Sequence, residues 1–254
     1  MVGLTLRKRR VFRHADNRIL LVPMDHGITL GKVQGLEDIR AAVKTVADAG
    51  ADGVVLHKGM ARFVADMLPS TCNLFIHVSA STTLGTHAGH KVGVCSVEEA
   101  IQLGADGVSA HINVGDDSEP EQLEALGRLS DACRRWGMPL LVMAYPRGPR
   151  VSDEHAPPAV AHAVRIAAEL GADLIKTNYT GNPDTFRYAI QGCPVPTLIA
   201  GGPFRPDGLV DMVKDALLAG AAGVSIGRSI FGQRDAAGTI QSLVRVIHGR
   251  ESGR

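Results

Sequence analysis

Gly50-Ala-Asp-Gly-Val-Val-Leu-His57 recurs with small changes as Gly104-Ala-Asp-Gly-Val-Ser-Ala-His111, Gly171-Ala-Asp-Leu-Ile-Lys176 and Gly220-Ala-Ala-Gly-Val-Ser-Ile-Gly227. Each copy follows a stretch with helical spacing of apolar residues and runs into a short apolar segment. The leading glycine suits the left-handed residue that ends a helix, and the acidic or small residue behind it starts the turn into a strand. Four more apolar runs, 19–24, 74–78, 139–144 and 195–200, lie between the copies and bring the strand signals to eight. Helical patterns fill the intervals at 36–49, 97–103, 119–136, 157–170, 183–191 and 207–219. Eight strands alternating with helices over this length predict a single-domain (β/α)8 TIM barrel spanning 1–254, in preference to a doubly wound sheet. No Gly-x-Gly-x-x-Gly follows the first strand and no phosphate-loop motif occurs, so the usual nucleotide fingerprints are missing.

Composition narrows the class of function. A chain of 254 residues with 45% hydrophobic residues has material for one sizeable core. Its formal net charge of +1 and 4% aromatic content argue against a nucleic-acid partner. No apolar run approaches the roughly 20 residues of a spanning helix, and the N-terminus lacks the apolar core of an export signal. A cytoplasmic location with no membrane partner is the expectation. Cys72, Cys95, Cys133 and Cys193 are widely spaced and form no Cys-x-x-Cys pair, which suggests neither a zinc ribbon nor a disulfide framework. The basic run Arg7-Lys8-Arg9-Arg10, with Arg13 and Arg18, marks segment 1–18 as a cap on the barrel. Recruitment of an acidic partner is the competing reading.

In such a barrel the chemistry sits where the strands end. Those positions read Asp25-His26-Gly27, His57-Lys58-Gly59, Ser79 to Ser81, His111-Ile-Asn113, Tyr145-Pro-Arg147-Gly148, Lys176-Thr-Asn178, Gly201-Gly202-Pro203 and Gly227-Arg228-Ser229.

Lys176 interrupts what otherwise reads as a buried strand. Lysine is seldom fully buried, because its ammonium loses hydration without return. It is therefore a candidate for chemistry, against the alternative of a surface lysine or one neutralised by a carboxylate. On the barrel register Met143 and Tyr145 share one face of the fifth strand, and Leu174 and Lys176 share one face of the sixth. Neighbouring strands lie about 4.8 Å apart, so amine and phenol can converge over one volume. Desolvation and a cation such as Arg228 would draw the amine down from about 10.4 toward neutrality. A neutral amine attacks a carbonyl, and the iminium formed is an electron sink for making or breaking a neighbouring bond. Tyr145 can then move the proton on the hydroxyl involved. Asp25 can orient the imine or shuttle a proton while the carbinolamine dehydrates. A pocket wall for Tyr145 and a backbone cap for Asp25 are the plainer alternatives.

Gly201, Gly202 and Gly227, with Arg228 and a helix start at Ser229, fit a barrel phosphate site. Backbone N–H groups can approach an anion where no Cβ intervenes, and the guanidinium adds charge and forked donors. Tight turns alone would also explain the glycines. Lys58, one residue further out than a strand-end position, is expected to bind substrate anion. His26, His57 and His111 with Asp25 could instead ligate a divalent metal. There is neither His-x-His nor a helical His-x-x-x-His, so no metal is expected and the imidazoles read as hydrogen-bonded rim residues. A phosphosugar sensor without turnover is a third class.

These residues also resemble a known family. Val22-Pro-Met-Asp-His-Gly-Ile28, Leu56-His-Lys-Gly59, His111-Ile-Asn-Val-Gly115, Trp136-Gly-Met-Pro139, Tyr145-Pro-Arg-Gly148, Lys176-Thr-Asn-Tyr-Thr-Gly181, Ala200-Gly-Gly-Pro203 and Gly227-Arg228 look like the archaeal-type class I fructose-bisphosphate aldolase group. The similarity runs from about Leu6 to His248. The resemblance implies a Schiff-base lysine at Lys176, an acid/base tyrosine at Tyr145 and a proton-transferring Asp25. It further implies phosphate contacts at Gly201, Gly202, Gly227 and Arg228, and substrate contacts around Asp25 to Thr29, His26 and Gly27 among them, and Tyr145 to Arg147. True fructose-bisphosphate aldolases of the group tend to carry Asp-Gln-Gly in place of Asp25-His26-Gly27 and an indole in place of Met143. The departures point to the heptulosonate synthase branch, which joins a phosphorylated ketose to L-aspartate 4-semialdehyde. Relatives that use dihydroxyacetone phosphate as donor are the alternative. The resemblance implies small-molecule partners, no cofactor and a homo-oligomer.

Overall fold

Alternation with a period of two along each strand separates the apolar side chains into two cores. In the computed structural model, which describes residues 2–202 and 207–249, eight parallel strands close into a barrel. They are β1 (Ile19–Pro23), β2 (Gly53–Leu56), β3 (Asn73–His77), β4 (Gly107–Val114), β5 (Leu140–Pro146), β6 (Leu174–Thr177), β7 (Thr197–Ala200) and β8 (Gly223–Ser225), hydrogen-bonded in chain order with β8 closing on β1. Ile19, Leu21, Val55, Phe75, Leu141, Met143, Tyr145, Leu174 and Leu198 form one buried cluster inside the barrel. Their neighbours, such as Leu20, Val22, Val54, Leu74, Val142 and Ile175, belong to the cluster under the surrounding helices. In even steps toward the strand ends the same inner face carries Asp25, His57, His77, His111, Tyr145 and Lys176. The fold thus gathers these six side chains at the C-terminal mouth.

The helices Ile39–Asp48, Val97–Gln102, Glu119–Trp136, Pro157–Glu169, Pro183–Ile190, Leu209–Ala219 and Ala236–His248 cover the outside. Asp38, Ser96, Asn182 and Asp235 cap four of them by accepting a first-turn N–H. The repeat glycines Gly50, Gly104, Gly171 and Gly220 all have positive φ, between 78° and 107°, as the helix ends they follow require. Between β2 and β3 the covering helix is reduced to the single turn Lys58–Ala61. After β3 the chain inserts an antiparallel ribbon, Ser79–Ala80 against Val92–Gly93, that the periodicity of the sequence does not forecast.

The aspartates of the repeat serve the lower face of the barrel. Asp52, Asp106 and Asp173 each accept an N–H from the strand before, at Leu20, Leu74 and Leu140. The N-terminal helix Val2–Val11 and the residues after it bring cations to the same three carboxylates: Lys8 to Asp173 at 3.2 Å, Arg10 to Asp106 at 3.8 Å and Arg13 to Asp52 at 3.0 Å. His14 and His248 also bond Asp52, at 2.7 and 2.9 Å, and His248 reaches Asp16 at 2.8 Å. The C-terminal helix is thereby clasped to the start of β2. No helix among the described residues is long and apolar enough to cross a membrane.

Candidate active site

Lys176 is registered between Met143 on β5 and Leu198 on β7, and its side chain continues the inner face begun by Leu174. It is buried, with neither a hydrogen bond nor an ion pair among the described residues. Burial disfavours the ammonium and the Arg228 charge adds to this, while Asp25 opposes both. The amine is held at about 8. At pH 7.5 about a quarter of it is neutral, against roughly one part in a thousand for an exposed lysine.

Asp25 extends the inner face of β1 into the same cleft, where its oxygens lie 3.6 Å from His26 Nδ1 and 3.8 Å from His77 Nε2. Burial by itself would raise its carboxyl, but the charges of His77, His26, Lys176 and His57 outweigh that and hold it at about 2. The imidazoles go the other way. Burial carries His26 and His77 to about 4 and lowers His57 and His111 as well. At neutral pH the cleft therefore holds an ionised carboxylate among uncharged rings.

Tyr145 is buried on β5 opposite Asn113, its ring edge-to-face with His111 at 5.0 Å and beneath the Arg147 guanidinium at 5.2 Å. Burial raises its phenol above the ordinary value near 10, so the hydroxyl keeps its proton. Arg147 is paired with Glu154 at 2.6 Å, which neutralises it.

The cleft encloses about 300 Å³ and is lined by Asp25, His26, Tyr145, Arg147 and Lys176 together with Gly201, Gly202, Gly227 and Arg228. Arg228 Nη2 donates to the carbonyl of Gly202 at 3.1 Å. At Gly227 a side chain is impossible: an added Cβ would stand 2.5 Å from the Pro23 carbonyl oxygen and 2.8 Å from His26 Cε1. Pro203, read with these glycines in the sequence, lies outside the described residues.

Two expected contacts are not brought in. Lys58 turns to Glu99 at 2.9 Å and faces a separate apolar hollow beside Met24, Val33 and Met60, which Gly27 also borders. A carboxylate one helix away holds the amine more cheaply than the cleft could. The histidines of the cleft do not converge with Asp25 as a metal group. Among the described residues the group that does converge is His14, Asp52 and His248 on the lower face, where Arg13 already donates to Asp52.

Two cleft residues escape the sequence reading. His77 bonds Ser109 Oγ at 2.8 Å and approaches Asp25; its place two residues after Phe75 on an inner face was the available signal. Lys91 comes from the unforeseen ribbon, and no periodicity marks it.

A buried amine with no partner among the described residues, lining one cleft with a carboxylate and a protonated phenol, is equipment for holding a carbonyl substrate as an imine, and the protein is a class I, Schiff-base-forming aldolase by type. The chain belongs to the DeoC/LacD family of aldolases, whose model matches residues 19–233. It is 42% identical over 247 residues to 2-amino-3,7-dideoxy-D-threo-hept-6-ulosonate synthase of Halobacterium salinarum, covering 97% of this chain and 92% of that one. It is 40% identical over 246 residues to 2-amino-4,5-dihydroxy-6-oxo-7-(phosphonooxy)heptanoate synthase of Streptomyces griseus, covering 96% and 90%. An archaeal fructose-1,6-bisphosphate aldolase with its catalytic lysine bound to the carbinolamine intermediate superposes with a TM-score of 0.88 at 34% identity, over 97% of this chain and 100% of that one.

Proposed function

We propose that this enzyme joins a phosphorylated ketose donor to L-aspartate 4-semialdehyde through an iminium on Lys176. The observation that carries this reading is the buried amine at about 8, without a partner among the described residues, in a cleft that a glycine and arginine cradle also lines. The donor phosphate lies on the backbone of Gly201, Gly202 and Gly227 and on Arg228. The neutral amine adds to the ketone, and the carbinolamine loses water to give an iminium. Asp25, ionised beside it, balances the positive charge as it forms. Breaking a carbon–carbon or carbon–hydrogen bond next to the iminium leaves an enamine, whose carbon attacks the aldehyde. Tyr145 gives its proton to the new alkoxide and is the base for the same oxygen in reverse. Water then releases the product and restores the amine.

The names of the two relatives support two donors. The Streptomyces product keeps a phosphate beside its ketone, as condensation with dihydroxyacetone phosphate would leave it. The Halobacterium product is 7-deoxy, which needs a donor that surrenders its phosphate with the departing fragment. We keep the second as the primary reading; the Asp25-His26-Gly27 and Met143 signature sets both apart from the fructose-bisphosphate aldolases. A cradle next to the iminium lysine supports the first. Mass spectrometry of the product made from L-aspartate 4-semialdehyde decides between them. A phosphate-free seven-carbon product supports the primary reading, a phosphorylated one the alternative, and no seven-carbon product from either donor contradicts both.

A further inference from the structure

We propose, resting on the aldolase reading above, that Lys91 is the residue that selects the acceptor, by binding an anionic group on the aldehyde at the side of the mouth opposite the phosphate cradle. Closed in chain order, an eight-stranded barrel sets β3 and β4 across from β7 and β8. The cradle of Gly202, Gly227 and Arg228 follows β7 and β8. Lys91 stands on the ribbon that leaves β3, next to Val92, which pairs with Ala80. Lys176 on β6 lies between the two poles on the circuit of strands. The electrostatics divide in the same way. The Arg228 charge acts on His26 and Lys176, whereas that of Lys91 acts on His57, His77 and His111, the inner residues of β2, β3 and β4.

What singles out Lys91 is that no carboxylate is in direct contact with it among the described residues. Arg147, the other cation on that side, is taken by Glu154, and Lys58 outside the cleft by Glu99. Lys91 lines the cleft and donates to the Ser81 hydroxyl at 2.5 Å, with no ion pair among the described residues. Burial and the nearby Arg147 lower its pKa against the weaker pull of Asp25 and Asp116, so the ammonium is held at a cost. An arriving carboxylate relieves that cost, while a neutral aldehyde does not. A donor seated at the opposite pole, with its ketone on Lys176, leaves the incoming aldehyde the β2 to β5 side. An acceptor with an anion two or three carbons from its aldehyde therefore meets Lys91.

The test compares two aldehydes of equal chain length, 4-oxobutanoate and butanal, at saturating phosphorylated ketose in the wild type and in Lys91→Met and Lys91→Arg. Lys91→Met should lower kcat/KM for 4-oxobutanoate by about 10- to 100-fold, the range for a hydrogen bond to a charged group. It should move butanal less than about threefold, on the scale of a small packing change. Lys91→Arg should restore most of the preference. Equal losses for both aldehydes would mean that Lys91 only supports the ribbon, and an unchanged preference would mean that the anion binds elsewhere; either result overturns the assignment. Borohydride trapping with dihydroxyacetone phosphate, fructose 1-phosphate and fructose 1,6-bisphosphate, without acceptor, separates this from the underlying reading. A Lys176 adduct in the wild type with unaltered acceptor preference in Lys91→Met removes Lys91 alone. No adduct with any donor removes the aldolase mechanism and the Lys91 role with it.

Discussion

The guanidinium of Arg228 donates to the carbonyl of Gly202, Nη2 to O 3.1 Å, and so ties the loops after β7 and β8 into one anion cradle. The same positive charge acts on the amine of Lys176. On the proposed function, one residue both receives the donor and helps to keep the nucleophile uncharged.

The two neighbours of Lys176 pull its titration in opposite directions, and this gives a paired prediction. Burial is the larger cause of the lowered value near 8; Arg228 lowers it further and Asp25 raises it. Arg228→Met should therefore move the rise of imine formation with pH to higher pH, and Asp25→Asn should move it to lower pH. Stopped-flow trapping rates between pH 6 and 10 read both. Shifts of the same sign in the two variants would contradict the electrostatic account.

Tyr145→Phe removes the hydroxyl proposed as acid and base and leaves the ring against His111 and Arg147. We expect kcat for carbon–carbon bond formation to fall by roughly 10² to 10⁴, the range for general acid–base groups. The trapped imine should form at close to the normal rate. An unchanged kcat would show that the proton is carried by another group.

His77 is the inner-face neighbour of Asp25, and its charge is the largest of those that hold the carboxyl low. His77→Leu should raise the pKa of Asp25, read in an NMR titration of carboxyl-labelled protein. An Asp25 resonance that titrates as before would make His77 a bystander.

The lower face predicts stability without chemistry. Asp52 is fully buried and bonds Leu20, Arg13, His14 and His248. Asp52→Ala should cost roughly 3–5 kcal/mol in denaturant unfolding, as removal of one member of a buried ionic cluster does. Imine formation in the folded fraction should persist. Burial disfavours the His248 ring cation, but its bonds to Asp52 and Asp16 win and raise its pKa. Its contribution to stability is then complete below about 6.5, the unfolded value, and is lost as pH rises through the higher folded value. His248→Leu should flatten that decline above neutral pH, and an unaltered slope would contradict the clasp.

Most of the barrel was legible because two periodicities carry it. Glycine-ended helices and inner-face alternation located all eight strands, and Lys176, Tyr145 and Asp25 fall where that alternation meets the strand ends. The repeat aspartates were visible as a pattern but not as a purpose, since Asp52, Asp106 and Asp173 find their partners in the N-terminal segment far away in sequence. Lys58 looked like an anion ligand because nothing local shows that Glu99, 41 positions on, takes it. Lys91 could not be foreseen, because a two-residue ribbon has no periodic signature and the ion pairs that neutralise its rivals are tertiary. His77 could have been found by counting two from Phe75.

The central claim concerns a single nitrogen, and chemical trapping addresses it directly. Protein incubated with a phosphorylated ketose and borohydride should gain the mass of one donor less one oxygen, and peptide mapping should put it on Lys176, at a rate that rises with pH through about 8. An adduct on another lysine, or full activity in Lys176→Met, would contradict the account.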